Sequence, residues 1–170
     1  KMFDTIFLSN KLNPDQIKIY PCEVTPYTII EKWHKSGRYT PYADKDPRLL
    51  IDVVKYALEI CPPWIRIPRI IRDIPLEYIK GGNKYSNLRQ MITQEMEKEG
   101  TFTDEIRSRE IGRNIDYKYE DSQYITRSYK TSDGGTEYFI SLESTDRKVI
   151  FGFLRLRIPP KIHTPVFQCL

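Results

Sequence analysis

The sequence has few cysteines, and they are far apart. Its 170 residues contain three, at Cys22, Cys61 and Cys169, so no disulfide framework is predicted and the odd number favours a reducing compartment. No apolar stretch approaches the ~20 residues that a membrane-spanning helix needs. A secretory leader is not predicted either, because Asp4 interrupts the apolar residues at the start. We therefore expect a protein of the cytoplasm or the nucleus that has no membrane partner.

Complete catalytic signatures are also missing. The sequence has no G-x-G-x-x-G, no G-x-x-x-x-G-K-[ST] and no C-x-x-C, and His34 and His163 are far apart. His34 is predicted to be a polar surface residue, and His163 receives no role. Cys22 follows a predicted strand, but a small buried thiol is favoured there over a nucleophile or a metal ligand, and Cys61 is expected to pack in the core. We therefore predict no catalytic residue and no metal ligand in this chain.

Positive charge is concentrated in one stretch. The chain carries a net charge of +4, and residues 62–89 alone hold six cations and two anions, a surplus equal to that total. A basic surface confined to one connector indicates a polyanionic partner.

The first half of the sequence is predicted to be mainly helical. A helix end is expected over 1–8 and a short strand over 16–21. Thr28 and Glu31 form a capping box that opens a helix ending near Gly37. A second helix begins at Asp46-Pro47 with an apolar stripe at helical spacing, and a third is expected over 87–99. The stripe comprises Leu49, Leu50, Val53, Val54, Ala57 and Leu58.

The second half changes to the periodicity of β-strands. Strands are predicted over 105–112, 122–131, 136–143 and 148–157. Asp133-Gly134-Gly135 is predicted to form a hairpin turn and residues 144–147 a second turn. The predicted fold class is therefore mixed α+β, with an antiparallel meander after a helical half.

Three arginines in the connector alternate with isoleucines. Arg66, Arg69 and Arg72 are expected on an exposed side whose isoleucine neighbours are buried. One interpretation is a solvated face with local ion pairs to Asp73 and Glu77. The other is phosphate binding, because guanidinium groups bind phosphate bidentately and stay charged. Four tyrosines in or near loops are candidates for stacking on unpaired bases, although tyrosines in loops more often serve simple packing: Tyr39, Tyr42, Tyr78 and Tyr85.

Several blocks resemble, in the same order, the catalytic subunit of the Elongator complex. They are KIYPC at 18–22, EKWHKSGRYTPY at 31–42, CPPWIRIPRIIRDIP at 61–75, NLRQM at 87–91, IRSREIG at 106–112, DGGTEYFISLES at 133–144 and VIFGFLRLR at 149–157. The resemblance implies that 1–26 is the C-terminal end of a radical-SAM partial barrel. It implies that 27–121 is a helical and basic connector, and that 122–170 is the incomplete start of a GNAT-type acetyltransferase domain. The first residue is Lys rather than Met, which also indicates a fragment.

The resemblance implies a function for the whole protein. Members of this family acetylate C5 of the wobble uridine of tRNA, in the synthesis of carboxymethyluridine, so the full-length protein is expected to be an acyltransferase and this fragment alone inactive. The family uses a 4Fe-4S cluster, S-adenosylmethionine and acetyl-CoA, which flanking sequence is expected to bind. Other Elongator subunits or a second copy are expected partners beside tRNA. A tRNA-binding role is predicted for Arg66, Arg69, Arg72, Lys80, Arg89, Arg107 and Arg109.

Two segments depart from the family pattern. Thr103 stands at the start of Thr-Asp-Glu where the family has Cys-Arg-Asp, which puts a zinc site in doubt, and residues 161–170 leave the pattern altogether. Two other functions stay open. The chain is alternatively a non-catalytic remnant that binds RNA or assembles a complex, or its basic face packs on an acidic neighbouring domain.

Overall fold

The computed structural model describes residues 1–9, 11–113 and 116–160. The chain forms two compact units. The sheet unit comprises Lys1–Asp15, Pro62–Trp64 and Asp104–Leu170, and the helical unit comprises Gln16–Cys61 and Ile65–Thr103. These limits differ from the three segments predicted from the sequence, 1–26, 27–121 and 122–170, which remain a prediction about domains. His163, Cys169 and the divergent segment 161–170 lie outside the described residues.

The described helices and strands confirm a mixed α+β fold. Helix α1 spans Met2–Phe7 in the sheet unit, and the helical unit contains α2 Ile29–Lys35, α3 Tyr42–Lys45, α4 Pro47–Glu59, α5 Leu88–Lys98 and a 3-10 turn Leu76–Tyr78. The sheet unit adds β1 Ser122–Lys130, β2 Thr136–Ser144 and β3 Ile150–Ile158. Within the described ranges, no helix combines the length and the apolar character that crossing a membrane requires.

Helix α4 begins where the sequence predicts, at Pro47. The Asp46 carboxylate accepts a hydrogen bond from the Arg48 N–H at 2.9 Å, and Pro47 occupies the first turn. The buried stripe is narrower than predicted, because Leu49 and Val53 are exposed. The side chains that α4 buries are Leu50, Val54, Ala57 and Leu58.

Helix α2 starts with the predicted capping box. The Thr28 hydroxyl accepts from the Glu31 N–H at 3.2 Å, and the Glu31 carboxylate accepts from the Tyr27 N–H at 2.8 Å. The reciprocal bond thus reaches Tyr27, the residue before the cap itself. Two residues beyond the last helical residue, Gly37 has φ +73°, a left-handed conformation typical of a helix C-terminus.

The sheet unit contains a three-stranded antiparallel meander. The strand order is β1-β2-β3, with Ser122 opposite Ser144 and Thr136 opposite Ile158. Gly134, with φ +85°, turns the chain between β1 and β2, as the Asp-Gly-Gly sequence predicts. The predicted turn at 144–147 is also present, since the Arg147 N–H donates to the Ser144 carbonyl at 2.8 Å.

One predicted strand is wrong. Residues 105–112 form 3-10 turns at Ile106–Arg109 and Ile111–Arg113 instead of a strand. The Glu105 carboxylate accepts from the Arg107 N–H at 2.9 Å and from the Ser108 hydroxyl at 2.6 Å. This side-chain capping satisfies backbone groups in a tight turn and so competes with sheet hydrogen bonding. Ile106 then packs into a buried cluster with Phe139 and Ile150.

The sheet unit also buries an ionic network. Glu143 is fully buried and accepts from Arg127 at 2.6 and 3.0 Å, and Arg109 lies 3.2 Å from it. The Ser141 hydroxyl adds a bond of 2.6 Å. Buried charges are tolerated when they are paired and hydrogen-bonded in this way.

Candidate nucleic-acid interface

The basic connector is held by backbone hydrogen bonds to an early segment of the helical unit. The Ile17 and Ile19 N–H groups donate to the carbonyls of Arg66 and Arg69, both at 3.0 Å. Gln16 and Arg66 form an isolated parallel bridge. The short strand predicted over 16–21 is therefore present only as this bridge. These bonds keep the connector extended, as its alternating sequence predicts.

The isoleucines of the connector are buried and its arginines are turned outward to different degrees. Ile65, Ile67 and Ile70 lie in the core of the helical unit. Arg69 and Arg72 are exposed, and Arg66 is half-buried. The prediction of one apolar side and one charged side is confirmed for this segment.

Arg69 also makes the local ion pair that the alternative interpretation expects. Its guanidinium lies 3.1 Å from the Asp73 carboxylate, with side-chain exposures of 56% and 76%. Exposed pairs of this kind contribute little stability and exchange readily with other partners. The pair therefore leaves Arg69 accessible to a phosphate.

Lys80 and Arg89 have contacts within the helical unit. The Lys80 ammonium donates to the Glu77 carbonyl at 3.1 Å, and its side chain is exposed. The Arg89 guanidinium is half-buried and donates to the Ile67 carbonyl. Arg89 thus helps to hold the connector in place from the first turn of α5.

Arg107 and Arg109 belong to the other compact unit. Arg109 is only 3% exposed, and its guanidinium donates to the carbonyls of Asp104 at 2.7 Å and Pro63 at 2.9 Å as well as pairing with Glu143. Burial lowers the pKa of Arg109, an effect that Glu143 partly offsets. This side chain has no accessible surface left for a phosphate. The predicted direct contact of Arg109 with RNA is therefore replaced by a structural role. Arg107 is half-buried.

The four candidate tyrosines differ in accessibility. Tyr78 is exposed, whereas Tyr39, Tyr42 and Tyr85 are half-buried. Burial and the neighbouring Cys22 thiol raise the pKa of Tyr39 to about 12, and burial raises the pKa of Tyr42. Of the four, Tyr78 therefore offers the most accessible ring for stacking on a base.

Two predictions about single residues need correction. Cys22 is exposed rather than buried, whereas Cys61 is buried as expected. His34 is half-buried rather than on the surface, with Nδ1 3.2 Å from the Tyr39 carbonyl oxygen. Thr103 is buried, and the described part of the chain contains no group of three or more His, Cys, Asp or Glu side chains placed to hold a metal ion.

A cavity beside the connector was not anticipated from the sequence. It has a volume of about 90 Å³ and is lined by Glu23 together with Arg72, Asn83, Lys84 and Tyr85. Lys84 and Tyr85 lie within the basic stretch, but nothing in the sequence singles out Glu23. Its placement depends on a contact between residues almost sixty positions apart, which local patterns do not reveal.

Comparison with known proteins shows the family. The Radical_SAM C-terminal domain matches residues 14–98, which is half of the chain. This match runs from the predicted end of the barrel through most of the helical unit.

Curated relatives extend the similarity over nearly the whole chain. A tRNA uridine(34) acetyltransferase of Methanocaldococcus infernus is 40% identical over 167 residues, 95% of this chain and 30% of that protein. Elongator complex protein 3 of Homo sapiens is 34% identical over 160 residues, 92% of this chain and 28% of that protein. The chain thus spans less than a third of the length of these relatives.

A solved structure shows the same arrangement of the backbone. Archaeal Methanocaldococcus infernus Elp3 with an N-terminal deletion superposes with a TM-score of 0.82 at 37% identity, covering 94% of this chain and 38% of that one. The domain match, the relatives and the fold agree with the resemblance seen in the sequence motifs. The chain therefore belongs to the Radical_SAM C-terminal domain family, in which it resembles the tRNA uridine(34) acetyltransferases and Elongator complex protein 3.

Proposed function

We propose that this chain is the central segment of a tRNA wobble-uridine acetyltransferase, acting at C5, and that it binds tRNA and couples the two catalytic halves of that enzyme. The names of the relatives support the activity, and one observation supports the binding role. Arg69 and Arg72 are exposed on a connector whose isoleucines are anchored in the core. Fixed, exposed guanidinium groups suit a phosphate backbone. A cytoplasmic or nuclear location, and association with other Elongator subunits or a second copy, belong to the same proposal.

The coupling role is supported by how the two units share the connector. Trp64 stacks on Tyr129 with ring centroids 4.5 Å apart, and its carbonyl accepts from Arg155, all within the sheet unit. From Ile65 onward the chain belongs to the helical unit. The connector thus passes from the sheet unit to the helical unit at the peptide bond after Trp64.

The iron–sulfur cluster of the family does not fit the side chains described here. A 4Fe-4S cluster needs several cysteine thiolates, and the described cysteines are the exposed Cys22 and the buried Cys61. We therefore propose that the cluster binds to parts of the longer relatives that this chain does not match, and we assign S-adenosylmethionine and acetyl-CoA to the same parts. The chain by itself is expected not to transfer acetyl groups to tRNA.

A salt titration of tRNA binding tests the interface. The affinity of the chain for an unmodified tRNA transcript is measured at increasing salt, and each phosphate contact contributes roughly 0.7 to 0.9 to the slope of log K against log salt. The double change Arg69→Gln and Arg72→Gln should reduce that slope by about two such increments. Replacing Arg66 as well should reduce it further, with thermal unfolding recorded because Arg66 is half-buried.

The matched control removes two charges elsewhere in the helical unit. Lys45 and Lys98 are exposed and lie outside the connector, so changing both to Gln lowers the net charge equally. The control should leave the slope nearly unchanged. An equal loss in both double variants, or binding that does not depend on salt, would contradict an interface on the connector. Acetyl transfer by the isolated chain would contradict the assignment of the chemistry to other segments.

A further inference from the structure

The cavity beside the connector contains a carboxylate oxygen without a partner. Oε2 of Glu23 is buried and accepts no hydrogen bond from any described residue. A buried acceptor left unpaired carries a desolvation penalty, and native structures keep few such groups without a reason. Burial raises the pKa of Glu23, with Asn83 and Arg72 acting in the opposite direction. The Asn83 side chain thus interacts with the same carboxyl group, but Oε2 remains an acceptor to which no described residue donates.

The backbone around Glu23 is arranged to hold it in this position. The Val24 N–H donates to the Gly81 carbonyl and the Lys80 N–H to the Val24 carbonyl, both at 2.8 Å. Gly82 has φ +106°, and a side chain there would meet the Cys22 carbonyl oxygen at 2.9 Å. Glycine therefore permits the close approach of the two segments that places Glu23 against the cavity.

The rest of the lining has the chemistry of a nucleotide site. Asn83 is buried and fixes the loop, because its carbonyl oxygen accepts from the Tyr85 N–H at 3.0 Å and its amide donates to the Tyr85 carbonyl at 3.1 Å. Arg72 and Lys84 supply positive charge at the cavity, and the half-buried Tyr85 offers an aromatic ring. Cations position phosphates, aromatic rings stack on bases, and acceptors read the N–H groups of a base edge.

The volume of the cavity limits the size of the ligand that it can bind. About 90 Å³ is well below the roughly 300 Å³ at which sites for whole organic ligands begin. It is roughly three times the volume of one water molecule, which suits one edge of a planar base. Isoleucine and leucine side chains form most of the remaining wall, and the polar Asp73 and Ser86 complete it; the apolar residues are Ile71, Ile74, Leu76 and Ile79.

We propose that this cavity binds the amino-bearing edge of one unpaired RNA base, guanine in particular, with Glu23 Oε2 as the acceptor and Arg72 and Lys84 on the flanking phosphates. Guanine presents an N–H and an exocyclic amino group side by side, so it offers a carboxylate more donors than uracil does. This inference rests on the proposed function, since it assumes that the connector contacts RNA. It adds selectivity for one base to a surface that otherwise recognises RNA only through the charge of the phosphates.

The test compares oligouridine strands that differ at one central position. The 170-residue chain is titrated with strands carrying guanosine, inosine or uridine there; inosine keeps the ring N–H of guanosine and lacks the amino group. Hydrogen bonds to charged groups contribute about 1.5–3 kcal/mol, so the guanosine strand should bind at least about tenfold more tightly than the inosine strand. In Glu23→Gln that ratio should fall close to one.

Two control variants separate the base from the phosphates. Glu77→Gln makes the same change at an exposed carboxylate of the connector and should keep the preference for guanosine. Arg72→Gln should weaken the binding of all three strands by a similar factor. Thermal unfolding of Glu23→Gln should show a folded protein, because the substitution preserves size and removes a partly desolvated charge.

The outcomes also distinguish this inference from the function on which it rests. Equal binding of guanosine and inosine strands by the unchanged chain overturns the base site, as does a preference that persists in Glu23→Gln. In either case, salt-dependent tRNA binding that is lost with Arg69 and Arg72 leaves the proposed function standing. If tRNA itself binds without any dependence on salt, the proposed function and the base site both fail.

Discussion

Each compact unit contains one glutamate held between two cations, and the two sites differ in burial. In the sheet unit, Glu143 is 0% exposed between Arg127 and Arg109. In the helical unit, Glu95 is 26% exposed and accepts from Arg48 at 2.8 Å and from Lys55 at 3.4 Å. The chemical groups are similar, but of the two carboxylates only that of Glu95 is reached by water.

The difference in burial determines how much each glutamate contributes to stability. Burial alone would raise the pKa of Glu143, but Arg127, Ser141 and Arg109 outweigh it and keep the pKa below its usual value. The pKa of Glu95 is also lowered, chiefly by its hydrogen bonds to Arg48. If Glu95 is lost, water can solvate Arg48, whose side chain is half exposed, whereas loss of Glu143 leaves Arg109 buried without its carboxylate. A count of charges from the sequence treats the two sites as equivalent.

Removal of Glu143 should produce the largest effect. Glu143→Ala is expected to lower the free energy of unfolding by about 3–5 kcal/mol, because Arg109 remains buried without its counter-ion. The measurement is urea unfolding followed separately by signals from the sheet and the helices. Glu95→Ala is the matched control and should show a much smaller loss. Equal losses in the two variants would mean that burial does not distinguish the sites.

Loss of a helix cap should have an intermediate effect. Asp46→Ala removes the acceptor for the Arg48 N–H at the start of α4, which typically costs about 0.5–2 kcal/mol. Asp52→Ala, which removes only the exposed partner 2.7 Å from Arg48, should cost less. Circular dichroism during urea unfolding measures both. A larger loss for Asp52→Ala would show that side-chain charge contributes more than backbone capping in the helical unit.

The smallest effect is expected at an exposed carboxylate of the sheet unit. Hydrogen bonds from Thr131 and the Gly135 N–H, together with Arg157, lower the pKa of Asp133 from 3.8 to about 2. Because the native pKa is depressed, the stabilisation is present above about pH 4 and is lost as the pH falls towards 2. The difference in unfolding temperature between the natural chain and Asp133→Asn should therefore shrink over that range.

Asp133 and Glu143 belong to the same unit but differ in burial. A comparison of their variants therefore distinguishes the effect of burial on stability from the effect of the unit in which a charge lies. A difference between Asp133→Asn and the natural chain that stays constant from pH 5 to about pH 2 would contradict the role of the carboxylate charge. An effect of Asp133→Asn as large as that of Glu143→Ala would show that the unit, rather than burial, determines what a charge contributes.

Regular patterns in the sequence predicted most of the fold. The cap and proline at Asp46-Pro47 mark the start of α4, and the predicted strands 122–131, 136–143 and 148–157 differ from β1, β2 and β3 by no more than two residues at either end. These elements are specified locally, by capping groups, glycine turns and periodicity. The family resemblance was also correct, because several specific blocks match in the same order.

The predictions that failed depend on contacts between distant residues. Arg109 was expected on a strand facing RNA, but it is buried because carbonyls of Pro63 and Asp104 and the carboxylate of Glu143 converge on it. Glu23 was overlooked because the loop at Gly81-Gly82 brings it to the cavity. Surface charge at Arg69 and Arg72 was predictable, since alternating isoleucines determine which side is buried. The chemistry of a site can thus be predicted from the local sequence only where the local sequence also determines which side chains are buried.

The interleaving of the two units along the chain has a consequence for folding during synthesis. Every residue of the helical unit has been made once Thr103 has left the ribosome, whereas the sheet unit combines residues 1–15 and 62–64 with residues from 104 onward. Helix α1 therefore emerges before the helical unit, yet the unit to which it belongs is completed after the helical unit. The nascent chain has to keep Phe3 and Phe7, which are buried in the finished unit, from aggregating until the meander is made. Chaperone binding to this N-terminal segment on stalled ribosomes should end once β3 has emerged.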